Sequence, residues 1–243
     1  MTFYAISRQR RANTTPLFAL VALWFLILSI FHVLPAIDID ISAFFFSGPV
    51  CQPGNPQIPC GHFPLATEAS VQTARWVLYR LPYLAAGIVV IAIIVGNLSS
   101  ALHERMPFRR LWIALVSVGL GTGLIVNGLL KEHSGRPRPI ETNLFGGQMD
   151  FMPAGSFLGA CNRNCSFVSG EASGAGWLIC LLFLLPPRYR RWIAPPVVAA
   201  SLATAFLRVA VGAHYASDAL LGWLLSIVVF VGLLTLEARL SES

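Results

Sequence analysis

Three short stretches of this chain hold the residue types that could do chemistry. The first is Lys131-Glu132-His133-Ser134-Gly135-Arg136-Pro137-Arg138-Pro139. Its prolines stop a helix and fix the backbone, so Arg138 is held rather than left to snorkel. The plainer reading is a basic interface patch that meets lipid headgroups. The second stretch is Ser166-Phe167-Val168-Ser169-Gly170-Glu171-Ala172-Ser173. A helix opening at Ser169 and Gly170 offers free backbone N–H groups, a ready anion site. Simple N-capping would explain Ser169, but not a carboxylate at Glu171 beside cations. The third stretch is Arg208-Val209-Ala210-Val211-Gly212-Ala213-His214-Tyr215-Ala216-Ser217-Asp218. On a helix His214 and Asp218 share a face, where the carboxylate can fix the imidazole tautomer and raise its nucleophilicity. A lone His at a helix end is more often structural. A His with an Asp one turn on and an Arg shortly before it is a rarer combination. Together the stretches could hold an anion among cations and attack it with an imidazole.

These groups need elements to position them, and the composition says which. Hydrophobic residues make up 56% of the chain and charged residues 12%, well under the ~25% charged of soluble domains. The apolar residues fall into six runs without a formal charge, roughly 17–34, 81–102, 111–130, 172–187, 192–207 and 219–236. A membrane span needs about 20 apolar residues. The fourth and fifth runs, at 16 residues each, span only if polar residues at their ends enter the membrane. The first run follows Arg8, Arg10 and Arg11, as in a signal peptide, but its apolar core is long and no small-x-small site follows, so it reads as a retained span. The expected fold is therefore an all-α integral membrane bundle of six transmembrane helices. A basic cytoplasmic tail occupies 1–16 and one domain 17–238, with outer loops at 35–80 and 131–170.

With the N-terminus inside, ten of the Lys and Arg residues fall on the cytoplasmic side in tight clusters and seven outside, so the net charge of +6 reports topology. No basic surface interleaved with aromatics points to nucleic acid, and no obligatory protein partner is evident. All three chemical stretches then lie at the outer helix ends. Cys51, Cys60, Cys161 and Cys165 also fall outside, where Cys51–Cys60 and Cys161–Cys165 disulfides suit an oxidising compartment. Zinc is the competing reading for Cys161 and Cys165, but their loop has no His nearby. Cys180 lies inside an apolar run as a packing residue.

The three stretches resemble the signature of the type 2 phosphatidic acid phosphatase superfamily: Lys-x6-Arg-Pro, Pro-Ser-Gly-His, then Ser-Arg-x5-His-x3-Asp. Lys131, Arg138 and Pro139 match the first element, Ser169 and Gly170 the middle of the second, and Arg208, His214 and Asp218 the third. The resemblance covers about 15–238 and implies a metal-independent, cofactor-free lipid phosphatase. His214 would attack phosphorus to give a phosphohistidine, and Asp218 would orient it. Lys131, Arg138, Arg208, the Ser169 hydroxyl and the Gly170 N–H would hold the phosphoryl oxygens. Phosphoryl transfer asks for this kind of positioning and charge neutralisation more than for covalent activation.

Three positions depart from the pattern. Leu207 stands for Ser and Val168 for Pro, and neither must touch phosphate. Glu171 stands where the family has the His that protonates the leaving group. A carboxylate among cations is expected to stay charged and make a poor acid. Glu171 then acts in a closed, dry site, or the substrate has a better leaving group, or the protein only binds lipid. His133 is a substitute acid if it reaches the site. The expected substrates are the 1-phosphate of lipid A, phosphatidylglycerol phosphate and undecaprenyl diphosphate, in a bacterial inner membrane with the site facing the periplasm. A lipid phosphotransferase using the same site and an inactive lipid-binding or transport protein are the alternatives.

Overall fold

The computed structural model describes residues 13–49, 51, 60–98, 103–104 and 106–242. Among them are helices and turns with no strand. The basic residues expected in the tail at 1–12 and Arg105 lie outside the described residues.

Helix α1 (Thr15–Val33) starts with Pro16 in its first turn, where the missing N–H costs nothing. None of its residues is buried, and large apolar side chains such as Phe18 and Phe25 stand exposed. A helix apolar all round and exposed suits lipid, not water. The short helix α2 (Ala36–Phe44) follows and buries Asp38 and Ser42. Helix α3 (Ala69–Leu98) begins well before the apolar run, so Arg75 and Arg80, read as loop from the sequence, are helical. Helix α4 (Phe108–His133) is wound as a π-helix over Gly119–Leu130. Then come α5 (Gly170–Leu184), α6 (Pro187–Ala210) and α7 (Ala216–Leu240). Five of these, α1, α3, α4, α6 and α7, are long and apolar enough to cross a membrane, and α5 is a shorter apolar helix.

Helix α5 is the centre of the bundle. From Gly170 to Leu182 none of its residues is exposed. Small residues allow this: a Cβ on Gly176 would collide with the backbone of Trp223 on α7, and one on Gly174 would press on Pro82 of α3. Close backbone approach at small residues is how helices associate where lipid removes the hydrophobic incentive. Side-chain hydrogen bonds add to it. Trp177 Nε1 donates to the Ala114 carbonyl at 2.9 Å, joining α5 to α4. Ser201 Oγ donates to the Ala175 carbonyl at 2.6 Å, joining α6 to α5. The Oγ atoms of Thr122, Ser173 and Ser226 lie 2.8 and 2.7 Å apart in series, linking α4, α5 and α7. Trp24 Nε1 on α1 donates to the Leu221 carbonyl of α7 at 3.0 Å.

The segment 131–170, expected to be loop, contains two short 3₁₀ turns, Pro139–Glu141 and Asn143–Phe145. Phe145 joins Phe46, Phe63 and Tyr215 in an aromatic cluster that covers the helix ends. Cys51 is bonded to Cys60 and Cys161 to Cys165, while Cys180 is free and buried.

Candidate active site

The end of α4, the starts of α3 and α5 and the end of α6 line a cavity of about 600 Å³, while the buried Ser169, His214 and Asp218 are not among its lining residues. Lys131, Arg138, Gly170, Glu171 and Arg208 line it, so residues from all three sequence stretches come together. Arg75, Trp76, Tyr79, Tyr83, Asn127 and Asn164 complete the lining.

The backbone explains why Arg208 and His214 are neighbours. Gly212 ends α6 with φ +68°, and a Cβ there would also strike the Phe63 ring at 2.5 Å. The chain therefore doubles back, and the His214 N–H donates to the Arg208 carbonyl at 3.0 Å. Two residues on, α7 begins, and the Asp218 carboxylate accepts from the Tyr215 N–H at 3.1 Å as part of a capping box.

His214 is buried. Its Nδ1 lies 2.8 Å from the Ser166 carbonyl. A carbonyl only accepts, so Nδ1 carries the proton and Nε2 keeps its lone pair. Burial pushes the His214 pKa well below the ordinary 6.5, and Arg208, Lys131 and Arg138 push it further down, against the pull of the Ser166 carbonyl. The imidazole is therefore neutral, the form a nucleophile needs. Asp218 Oδ2 is 4.0 Å from Nδ1. Its shorter bonds go to Ser166 Oγ at 2.5 Å and to Arg136 Nη1 at 2.5 Å. Asp218 thus grips the residue that holds the imidazole.

The cations are arranged by their neighbours. Lys131 Nζ donates to Asn164 Oδ1 at 3.3 Å, and Arg138 Nη2 to the Asn164 carbonyl at 3.0 Å. Asn164 sits in the turn closed by Cys161–Cys165. The Nε–H groups of Arg138 and Arg208 are buried and make no hydrogen bond. Buried donors without a partner are costly, and here they belong to two guanidiniums on one cavity, a strong anion receptor. Ser169 is fully buried, and its Oγ accepts from the Ala172 N–H at 3.3 Å, so it does cap α5. Gly170 needs to be glycine: a Cβ would lie 2.5 Å from Asn127 Oδ1.

Glu171 is not free in the cavity. Its carboxylate accepts from Arg75 Nη2 at 2.6 Å and Nε at 3.2 Å, and it lies 3.3 Å from Arg208 Nη1. Sequence reasoning missed Arg75, although Arg75, Tyr79 and Tyr83 recur at helical spacing and share the cavity face. It also left Asn127, Asn164 and Ser166 without a role. His133 is exposed, donates from Nδ1 to the Leu129 carbonyl 2.9 Å away, and does not line the cavity. Among the described residues no His, Cys, Asp and Glu group could hold a metal ion. An apolar groove of about 260 Å³, lined by Pro82, Ala86 and Val118 of α3 and α4, adjoins the cavity and shares Tyr79, Tyr83, Asn127, Gly170 and Glu171 with it. A hollow of about 700 Å³ between His103, Arg109 and Glu237 contains none of these residues.

Long apolar helices converging on a polycationic cavity beside a neutral buried imidazole are the build of a membrane phosphatase. Residues 110–241 match the PAP2 superfamily, and the chain belongs to it. A lipid A 4'-phosphatase of Rhizobium leguminosarum is 44% identical over 219 residues, covering 88% of this chain and 93% of that one. A lipid A 4'-phosphatase of Rhizobium etli is 43% identical over 215 residues, covering 88% and 84%. A third, from Francisella tularensis subsp. novicida, is 33% identical over 132 residues, covering 54% and 60%. The crystal structure of the first transmembrane PAP2 type phosphatidylglycerolphosphate phosphatase, from Bacillus subtilis, superposes with TM-score 0.59 at 15% identity, covering 92% of this chain and 96% of that one. That last likeness shows the fold.

Proposed function

We propose that this protein removes the 4'-phosphate from lipid A at the periplasmic face of a bacterial inner membrane, through a phosphohistidine on His214. The observation that carries the reading is the pairing of a neutral His214 with two neighbouring guanidiniums whose buried Nε–H groups lack partners. The named relatives support lipid A among the three expected substrates, and the 4'-phosphate rather than the 1-phosphate that the sequence reading named there. In this reading α5 is a sixth, short span, and the basic turns lie in the cytoplasm.

Lys131, Arg138 and Arg208 hold the phosphoryl oxygens while the N-terminus of α5 adds its N–H groups. His214 Nε2 attacks phosphorus, and the bond to the sugar oxygen breaks with its electron pair leaving on that oxygen. Glu171, carrying a proton taken up as the substrate binds, gives it to that oxygen, which leaves as the sugar hydroxyl, and Glu171 is left as the carboxylate. Phosphate competes for Arg208 and so loosens the carboxylate from one of its two cations. Water then attacks the phosphohistidine and passes a proton to the Glu171 carboxylate; the P–N bond breaks with its electron pair returning to Nε2, which releases phosphate and restores the neutral imidazole. The apolar groove beside Glu171 fits an acyl chain.

The test is phosphate release from bis-phosphorylated lipid A by the purified protein, with the product mapped by mass spectrometry. Loss of the 4'-phosphate, abolished by His214→Ala, is expected. Loss of the 1-phosphate alone would overturn the headgroup assignment, and full release by His214→Ala would overturn the mechanism.

A further inference from the structure

We infer that Asp38 and Arg136 are positioning residues for His214, and that α2 takes part in the active site through them. The inference rests on the phosphohistidine reading above. Neither residue lines the cavity, and both are fully buried. A buried guanidinium is tolerated only where its donors are satisfied and its charge is balanced. Arg136 meets both conditions in a particular way. Its Nε donates to the Met152 carbonyl at 2.8 Å. Nη1 donates to Ser217 Oγ at 2.8 Å and to Asp218 Oδ1 at 2.5 Å. Nη2 donates to Asp38 Oδ2 at 2.8 Å. One planar fork thereby bridges two carboxylates. Asp218 and Asp38 outweigh the burial that disfavours its charge and hold the Arg136 pKa above the ordinary arginine value.

Asp38 is fixed from a second side. It accepts from the Ser217 N–H at 2.9 Å and from Ser217 Oγ at 2.6 Å. Asp38, Arg136 and Ser217 therefore form a closed ring of hydrogen bonds, and Arg136 passes directly from that ring to Asp218. Asp218 Oδ2 then receives Ser166 Oγ, and the Ser166 carbonyl accepts from His214 Nδ1. The Ser166 N–H also donates to the Arg136 carbonyl at 2.8 Å, so Arg136 holds Ser166 by its backbone as well as through Asp218. Every step from α2 to the imidazole is a hydrogen bond between buried groups. The lone pair of Nε2 is aimed by the ring that the opposite nitrogen's bond fixes, so slack anywhere in the chain rotates the nucleophile. A misplacement of about 1 Å can cost about 100-fold in rate.

A merely structural ion pair would give a different result from a positioning one. Losing a structural pair lowers the amount of folded protein but leaves each folded molecule as active as before. A positioning pair lowers kcat per folded molecule and leaves KM alone, because Lys131, Arg138 and Arg208 still hold the phosphate. The experiment measures kcat and KM per folded protein, and the rate of phosphoenzyme formation by rapid quench with radiolabelled lipid, for Asp38→Asn and Arg136→Lys. Expected are kcat losses of about 10–100-fold in both, matching losses in the phosphoenzyme rate, and KM within about twofold. Arg136→Lys tests the fork itself, since lysine keeps the charge but cannot bridge both carboxylates. Native kcat in Arg136→Lys would overturn the geometric claim, and native kcat in folded Asp38→Asn would overturn the role of α2. Should those variants fail to fold, Ser217→Ala removes two hydroxyl bonds of the ring without changing charge. A several-fold fall in its kcat at constant KM supports the proposal, and native kinetics overturn it. A native protein that releases no phosphate, or whose release survives His214→Ala, would instead sink the phosphohistidine reading.

Discussion

Glu171→Gln separates the leaving-group role of this residue from its place in an ion-pair network. Glutamine has the same shape and keeps a carbonyl oxygen, but it has no charge and no acid proton to give. In the free site the carboxylate binds Arg75 at 2.6 and 3.2 Å and Arg208 at 3.3 Å. Removing the charge leaves both guanidiniums to the phosphate. The Arg75 pair is partly solvent-exposed and contributes only about 0–1 kcal/mol, while the Arg208 pair is buried, so freeing Arg208 for the phosphate should lower KM rather than raise it. The chemistry behaves differently. A sugar hydroxyl is a poor leaving group, and proton transfer to it contributes about 100- to 10,000-fold, or about 3–5 kcal/mol of barrier. The expected kcat on lipid A falls by at least about 100-fold. On an acylated nitrophenyl phosphate, whose leaving group needs no proton, it falls by less than about tenfold. Phosphate release from both substrates in one detergent provides the assay. Equal losses on the two substrates, or a raised KM, would refute the leaving-group role and leave Glu171 only as an ion-pair partner of Arg75 and Arg208.

Other perturbations follow from the same geometry. The depressed pKa of His214 predicts that the unfolded chain takes up a proton near 6.5 while the folded protein waits for lower pH. Stability is therefore present above about 6.5 and lost as pH falls through the window below it; thermal melts across this range should show the slope, and His214→Asn should flatten it. Gly170→Ala puts a methyl group 2.5 Å from Asn127 Oδ1 and should push the first turn of α5 off the phosphate, cutting kcat/KM by about tenfold with the melting temperature little changed. Replacing Cys161 and Cys165 by Ser frees the turn of Asn164, which holds Lys131 and Arg138; KM should rise several fold while kcat changes less, read by steady-state kinetics.

The sequence carried much of this site because its parts are local. Arg208, His214 and Asp218 sit within a dozen residues, and their spacing survives as geometry. The same holds for Lys131 and Arg138. The partners of Glu171 and Asp218 were hidden for the opposite reason. Arg75 lies 96 residues from Glu171, and its helix extends past the apolar run that marked it in the sequence. Asp38 lies 98 residues from Arg136, in a stretch that composition describes only as an outer loop. Hydropathy sees apolar runs, so it found the long helices and placed α5, but it could not show that α5 is enclosed by the others. The short fourth run was the clue: a helix shielded by protein need not be as long as one that meets lipid.

That shielding has a consequence of its own. At about 1.5 Å per residue, Gly170–Leu184 reaches only about 22 Å, against a hydrocarbon layer of about 30 Å. The surrounding helices set how the molecule sits in the bilayer, while α5 sets how deep the cradle at Gly170 lies. With α5 as the proposed sixth span and its shortfall at the Gly170 end, a phosphate would sink several ångström below the headgroup plane to meet it. An acylated substrate loses little by this descent, since its chains stay among other chains. A water-soluble phosphate ester would have to shed its hydration with nothing gained in return. Depth alone would then select lipids over soluble esters before any residue reads the headgroup.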